Sequence, residues 1–149
     1  SVIALMSEER ASRDGKEVLA YVADWEYSAI DANNGLLMAP AVAVPKLLTR
    51  NNLTLGDFDL IEIHEAFAAQ VLANVKAWEE GLYGSPTGKI DWSRVNTLGG
   101  SIALGHPFAA TGGRIVLSLA HELKRRNLKR GLISICAAGA MAGAVIVER

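Results

Sequence analysis

The sequence holds a single cysteine, Cys136, so no internal disulfide framework can form, and no pair of cysteines stands at metal-ligand spacing. A reducing compartment is the simpler expectation for such a chain. An excess of either charge is also missing, because 15 basic side chains face 16 acidic ones and leave a formal net charge of −1. That balance offers no electrostatic footprint for nucleic acid or for an anionic membrane, and neither partner is expected. Long apolar runs are absent as well. Leu132–Ala138 and Ala140–Val147 stop short of the ~20 residues that a spanning helix needs, so no membrane span is expected. The start, Ser1-Val-Ile-Ala-Leu-Met, has no basic leader or cleavage pattern and does not read as a signal peptide. Val2–Met6 reads instead as a strand cut at its beginning, with its partner upstream, which suggests a fragment boundary.

What is present is ordinary soluble composition, 50% hydrophobic and 21% charged over 149 residues. A chain of that size fits one domain burying roughly two-thirds of its unfolded surface. After a polar connection closed by Asp14-Gly15, the β-branched and aromatic run from Lys16 to Ile30 predicts a strand, followed by the turn residues Asp31–Gly35. Pro40 at a first-turn position, with Val44, Leu47 and Leu48 at helical spacing, predicts a helix up to Asn51-Asn52, although Pro45 opposes it. Phe58–Ile63 predicts a short strand whose end delivers His64 and Glu65. From Ala66, the positions Phe67, Val71, Val75 and Trp78, with Leu72 beside them, predict an amphipathic helix ending near Gly81.

A loop from Tyr83 to Arg94 leads to the Gly-rich run Leu98–Gly105, and a helix follows over about Ala109–Asn127. That helix sets Ile115, Val116, Leu119, Ala120 and Leu123 against Arg114, His121, Lys124 and Arg125, and its basic last turn complements the helix dipole. Gly131–Ala137 and Gly143–Glu148 predict a closing antiparallel pair. The alternation implies a layered α/β domain with a mixed sheet and helices on its faces, βαβαββ-like, in which ligands gather at the carboxyl ends of strands.

Three segments can carry chemistry. His64-Glu-Ala-Phe-Ala stands between a strand and a helix, where an imidazole can donate to a developing oxyanion and a carboxylate is favoured by the helix N-terminus. The alternative is a helix cap with a satisfied histidine. A zinc-protease pattern is excluded, since position 68 is alanine. Asn96–Gly113 presents His106 from a glycine-dense loop stiffened by Pro107, and it fits neither a P-loop nor a dinucleotide fingerprint. A structural loop with an incidental histidine is the alternative. Cys136-Ala-Ala-Gly ends a strand in small residues whose N–H groups remain reachable beside the sulfur, unless Cys136 is a buried, inert thiol. His121 shares a basic helix face and is expected to be exposed and non-catalytic.

Taken in order, His64-Glu-Ala-Phe-Ala, Asn96 through Gly-Gly-Ser-Ile-Ala-Leu-Gly-His106-Pro, and Cys136-Ala-Ala-Gly resemble the C-terminal half of thiolases over nearly the whole chain. Most thiolases begin the first motif with asparagine; His64 and the form of the cysteine motif resemble the branch of fatty-acid oxidation complex thiolases and trifunctional-enzyme β subunits. The resemblance implies the thiolase fold, with residues 1–15 as the end of a preceding half or a connection and 16–149 as the C-terminal domain.

It also implies thiolysis of a 3-ketoacyl-CoA or the reverse condensation, with coenzyme A as substrate and no cofactor or metal. By resemblance, His106 activates the nucleophilic cysteine, His64 and His106 hold the enolate oxygen, and Cys136 is the general acid and base. The N–H of Ala138 serves a second oxyanion hole, and Ala66 and Phe67 line the acyl-CoA channel. The nucleophile itself lies in an N-terminal half of the same fold, so the chain alone is expected to be inactive.

Implied partners are that half, a second copy in a dimer or higher oligomer, and a hydratase/dehydrogenase subunit. Bacterial relatives are cytoplasmic; eukaryotic ones are mitochondrial or peroxisomal. The sulfur of Cys136 and the two imidazoles are expected to converge on one cavity. A ketoacyl synthase fragment is disfavoured by Cys136 in the last hairpin, and a thiolase-derived binding module without turnover remains the non-enzymatic alternative.

Overall fold

A computed structural model describes all residues, 1–149. The elements run α1 (Glu8–Arg13), β1 (Tyr21–Ala29), α2 (Pro40–Arg50), β2 (Leu60–Ile63), α3 (Ala68–Glu80), α4 (Ser101–Leu104), α5 (Thr111–Arg126), β3 (Arg130–Ala137) and β4 (Met141–Glu148). The four strands form one mixed sheet in the order β1-β4-β3-β2. Only β2 and β3 are parallel, as a connection through helices requires, whereas β3 and β4 form the hairpin that the terminal β-branched runs predict. Trp25 and Tyr27 of β1 pair with Val145 and Gly143 of β4, so β1 is the free antiparallel edge.

The two faces of the sheet are covered unequally. On one, α2 and α3 pack Leu47, Leu48, Val75 and Trp78 against Ile61, Ile63, Leu132 and Ile146. The Trp78 indole Nε1 donates to the carbonyl of Pro40 at 2.9 Å, so its polar atom is satisfied within the core. On the other face, α5 lays Ile115, Leu119 and Leu123 over Leu60, Ile133 and Val147. Gly131 is required there, because a Cβ would lie 2.6 Å from Leu119 Cδ2. The α5 helix ends on Asn127 in the left-handed conformation (φ 53°), after a basic last turn of Lys124, Arg125 and Arg126.

Three local expectations are corrected. Val2–Met6 forms no strand among residues 1–149, and Ser1 Oγ donates to the Ala110 carbonyl at 2.6 Å. The polar stretch that follows contains α1, started by Ser7, whose hydroxyl accepts from the Arg10 N–H. The helix after His64 begins at Ala68 rather than Ala66, with Phe67 in extended conformation at its N-cap position. Pro45 is tolerated inside α2, which continues through it to Arg50.

Candidate active site

Residue 64 lies one step beyond β2, and its N–H still donates to the Ser134 carbonyl at 2.8 Å, continuing the parallel ladder. The end of β2 is held by a side chain from elsewhere in the chain. Asn96, in left-handed conformation (φ 46°), accepts from the Ile63 N–H through Oδ1 at 2.8 Å. Its Nδ2 donates to the Ile63 carbonyl at 2.9 Å and to Glu65 Oε1 at 2.6 Å. A single amide thereby replaces a missing strand neighbour and carries the Gly-rich run onto the edge of the sheet.

Glu65 completes the junction from the other side, since its Oε2 accepts from the Ile102 N–H at 3.0 Å. The carboxylate therefore serves the first turn of α4, not the start of α3, where Gln70 Oε1 instead accepts from the Ala66 N–H at 3.2 Å. Gly100 faces that carboxylate so closely that any Cβ would overlap it. The glycine-dense run is thus not a plain loop: Ser101–Leu104 is a helical turn ended by Gly105 (φ 87°).

Beyond Gly105 the chain brings His106 against His64, with ring centroids 4.2 Å apart and planes tilted by 45°. His64 is buried and its Nδ1 lies 2.8 Å from Ser101 Oγ. Burial first, then His106 and Arg114, lower its pKa to about 4, so it is neutral at physiological pH. His106 is exposed, with Nδ1 2.6 Å from Thr111 Oγ1 and the exposed ring of Phe108 at 5.0 Å.

Glu62, two residues before His64 on β2, is a buried carboxyl whose pKa burial raises to about 7; Arg114 lowers it, while Glu65 and Glu122 add to the rise. Arg114 was expected on the polar side of α5. It is half-buried, with Nη2 3.5 Å from Ser101 Oγ and Nε without a partner.

The thiol is placed differently. Cys136 ends β3, pairs with Ala142 and is buried. Cys136 has the strand parity of Leu132 on β3, and His64 engages Ser101 just beyond the end of β2. Burial raises the Cys136 pKa, partly offset by a backbone hydrogen bond. Clefts of about 500 and 370 Å3 lie around Arg50 and behind Glu65, and none of His64, His106 and Cys136 lines either. The structure joins the two imidazoles but does not bring the sulfur into hydrogen-bonding contact with them.

Ala138 is exposed in the β3–β4 turn and its N–H is engaged by no other backbone group. Ala66 is half-buried and Phe67 is 66% exposed, close to the site in sequence but outside the core. His121 is exposed on α5, away from the pair. No group of three His, Cys, Asp or Glu side chains is arranged to hold a metal ion. Sequence reasoning missed Ser101, Thr111 and Arg114, and it used Asn96 only as the start of a motif. Asn96 carried a signal, because asparagine tolerates the left-handed conformation better than other non-glycine residues. Ser101 and Thr111 carried none, since their partners are distant in the chain or lie across a turn.

A buried neutral imidazole lies beside an exposed one, both backed by hydroxyls, on a layered α/β domain, and such a pair has the groups to donate and accept protons. The model of the thiolase C-terminal domain family matches residues 16–149. The chain is 43% identical to the 3-ketoacyl-CoA thiolase of Aliivibrio fischeri strain MJ11, covering 99% of this chain and 35% of that protein. It is 47% identical to the 3-ketoacyl-CoA thiolase of Shewanella pealeana, covering 99% and 36%. Among solved structures, the acetyl-CoA acetyltransferase of Syntrophomonas wolfei superposes with a TM-score of 0.85 at 37% identity over 97% of this chain and 35% of that one. The Bacillus anthracis acetyl-CoA acetyltransferase gives 0.80 at 40% identity, over 96% and 34%.

This chain belongs to the thiolase family, and the part of the family fold that it forms is the C-terminal domain. It spans about a third of the length of the relatives it matches.

Proposed function

We propose that the chain supplies the C-terminal part of the active site of a 3-ketoacyl-CoA thiolase or acetyl-CoA acetyltransferase, an acyltransferase with coenzyme A as substrate and no cofactor. The observation that carries this reading is the meeting of His64 and His106, rings 4.2 Å apart, from motifs that both match the family. In the forward direction a cysteine thiolate of the N-terminal half attacks the keto carbon of the substrate. The bond between that carbon and its neighbour breaks, and the electron pair leaves as the enolate of acetyl-CoA.

The leaving group is an enolate, so fixed donors must face its oxygen and an acid must stand near its carbon. The imidazoles of His64 and His106 are the donors. His106, the exposed member of the pair, takes the proton of the attacking cysteine. Cys136 delivers its proton to the enolate carbon; its raised pKa keeps the thiol protonated for that step. The resulting thiolate then deprotonates incoming coenzyme A, whose sulfur attacks the acyl-cysteine and frees the nucleophile. The N–H of Ala138, unengaged in its turn, serves the acyl oxygen in that second half-reaction. Ala66, Phe67 and the exposed Phe108 border the acyl path.

No helix of the structure is long and apolar enough to cross a membrane, and the relatives named above are bacterial. A cytoplasmic protein active in fatty-acid β-oxidation and lipid metabolism accords with those relatives. The N-terminal half is the implied partner, and a dimer or larger assembly with a hydratase/dehydrogenase subunit extends the same reading. Uncovered apolar side chains on β1 and on α4, among them Trp25, Tyr27, Ile102 and Leu104, provide surface for such contacts.

The test assays the 149-residue chain with acetoacetyl-CoA and coenzyme A, alone and co-expressed with an N-terminal thiolase half. Thiolysis is expected only for the pair. Turnover by the chain alone above a Cys136→Ser control overturns the view that the nucleophile lies elsewhere, and an inactive pair overturns the functional reading.

A further inference from the structure

The hydroxyls behind the two imidazoles are wired in opposite senses. Ser101 Oγ lies 2.8 Å from His64 Nδ1 and 3.5 Å from Arg114 Nη2. A guanidinium only donates, so Ser101 offers it a lone pair and keeps its own proton for another acceptor. The acceptor in hydrogen-bonding contact is His64 Nδ1. The proton of this neutral imidazole therefore resides on Nε2. Thr111 Oγ1 lies 2.6 Å from His106 Nδ1 and 3.4 Å from the carbonyl of Pro107. A carbonyl only accepts, so the Thr111 proton turns toward Pro107 and Oγ1 accepts from Nδ1–H of His106. That imidazole is left with a lone pair on Nε2.

We propose that Ser101 and Thr111 are positioning residues that hold the facing imidazoles in opposite tautomers, His64 presenting an Nε2–H donor and His106 an Nε2 lone pair. Burial of Ser101 and Thr111 supports the assignment, because neither hydroxyl has water to exchange its proton with. Arg114 adds to it: a fixed positive charge on the far side of Ser101 opposes a second proton on His64. The proton positions follow from the hydrogen-bond geometry of Ser101 and Thr111, not from the thiolase reading. Their role rests on the thiolase reading, in which one imidazole must donate to an oxyanion while its neighbour accepts the nucleophile's proton. Opposite tautomers provide both at once, with no exchange of protons before substrate arrives.

The experiment uses the full-length protein that carries this chain, labelled with 15N-histidine, and long-range 1H–15N correlation spectra that show which ring nitrogen bears the proton. Resonances are assigned with His64→Gln and His106→Gln. His64 is expected as the Nε2–H form and His106 as the Nδ1–H form. Ser101→Ala is expected to shift His64 toward a tautomer mixture and Ser101→Thr to restore it; Thr111→Val and Thr111→Ser do the same for His106. In thiolysis, Ser101→Ala lowers kcat roughly 10- to 100-fold with a much smaller change in KM, by analogy with the loss of the outer partner of a metal-bound histidine.

Identical tautomers in the wild-type protein, or spectra unmoved by Ser101→Ala and Thr111→Val, overturn the proposal. If Ser101→Ala does not fold, the wild-type spectrum decides. Opposite tautomers in a protein without thiolase activity sink the functional reading and leave the proton assignment standing, whereas activity with identical tautomers does the reverse.

Discussion

The two faces of the sheet solve different problems. The α2–α3 face is sealed, with Leu47, Leu48, Trp78, Ile61 and Ile146 in one continuous core. The α5 face is covered over β2 and β3 but not over β1, where Trp25 is 55% and Tyr27 77% exposed. It also carries the ionisable groups that a core ordinarily excludes: Glu62, His64 and Arg114. One face holds the domain together. The other gives up close-packed burial for a cluster of polar groups and an open apolar surface.

The difference is broken most severely from the sealed side. Trp78→Ala removes the largest buried side chain of that core together with its hydrogen bond to Pro40, and is expected to cost about 3–5 kcal/mol in chemical denaturation. Next in size is an effect of pH on the α5 face. The Glu62 pKa rises from 4.5 to about 7 on folding, so the folded state retains a proton that the unfolded chain loses between those values. Stability from this group is fully present below pH 4.5 and falls by about 3 kcal/mol as pH rises through 7.

His64 works in the other direction. Its pKa falls from 6.5 to about 4, so stability is full above pH 6.5 and is lost as pH drops toward 4. The two slopes oppose each other in the wild-type chain. Glu62→Gln is therefore expected to unmask a stability that climbs with pH from about 4 to 6.5 and then stays level, read from denaturation midpoints across that range; an unchanged profile contradicts the burial of Glu62.

A smaller loss is expected from Gly100→Ala, where a Cβ meets the Glu65 carboxylate. Overpacking there is worth on the order of 1–3 kcal/mol, and it should separate His64 from His106 by displacing α4, visible as altered histidine resonances. At the bottom of the scale, Tyr27→Ser on the uncovered face should change the stability of this chain by less than about 0.5 kcal/mol. The same substitution in the full-length protein tests the comparison from the opposite side: a much larger loss there means that a partner covers β1.

Much of the architecture was legible in the chain. Phe58–Ile63, the amphipathic spacing around Val71, Val75 and Trp78, and the closing β-branched runs each announce an element through its period, and the periods hold because each element buries one side. Val2–Met6 misled, because an apolar run becomes a strand only with a partner strand beside it, and sequence does not say where that partner is. The helix expected through Pro45 is there, because burial of α2 outweighs the local cost of that proline. At the site, His64 and His106 stood out as histidines in motifs. Arg114 was assigned to the solvent side of α5, since helical periodicity cannot reveal that α4 and β2 reach around to bury it.

By itself the sequence determined the order of strands and helices, the glycines and asparagines where the backbone turns left-handed, and the histidines and cysteine offered to chemistry. Those are properties of local sterics and of residue type. Tertiary structure alone decided that His64 and His106, 42 positions apart, meet with their ring centroids 4.2 Å apart. It also decided that Asn96, Ser101 and Thr111 hold the site in place. Hydrogen bonds and burial act through space, and the folding of β2, α4 and α5 against one another is what brings those groups within their short range.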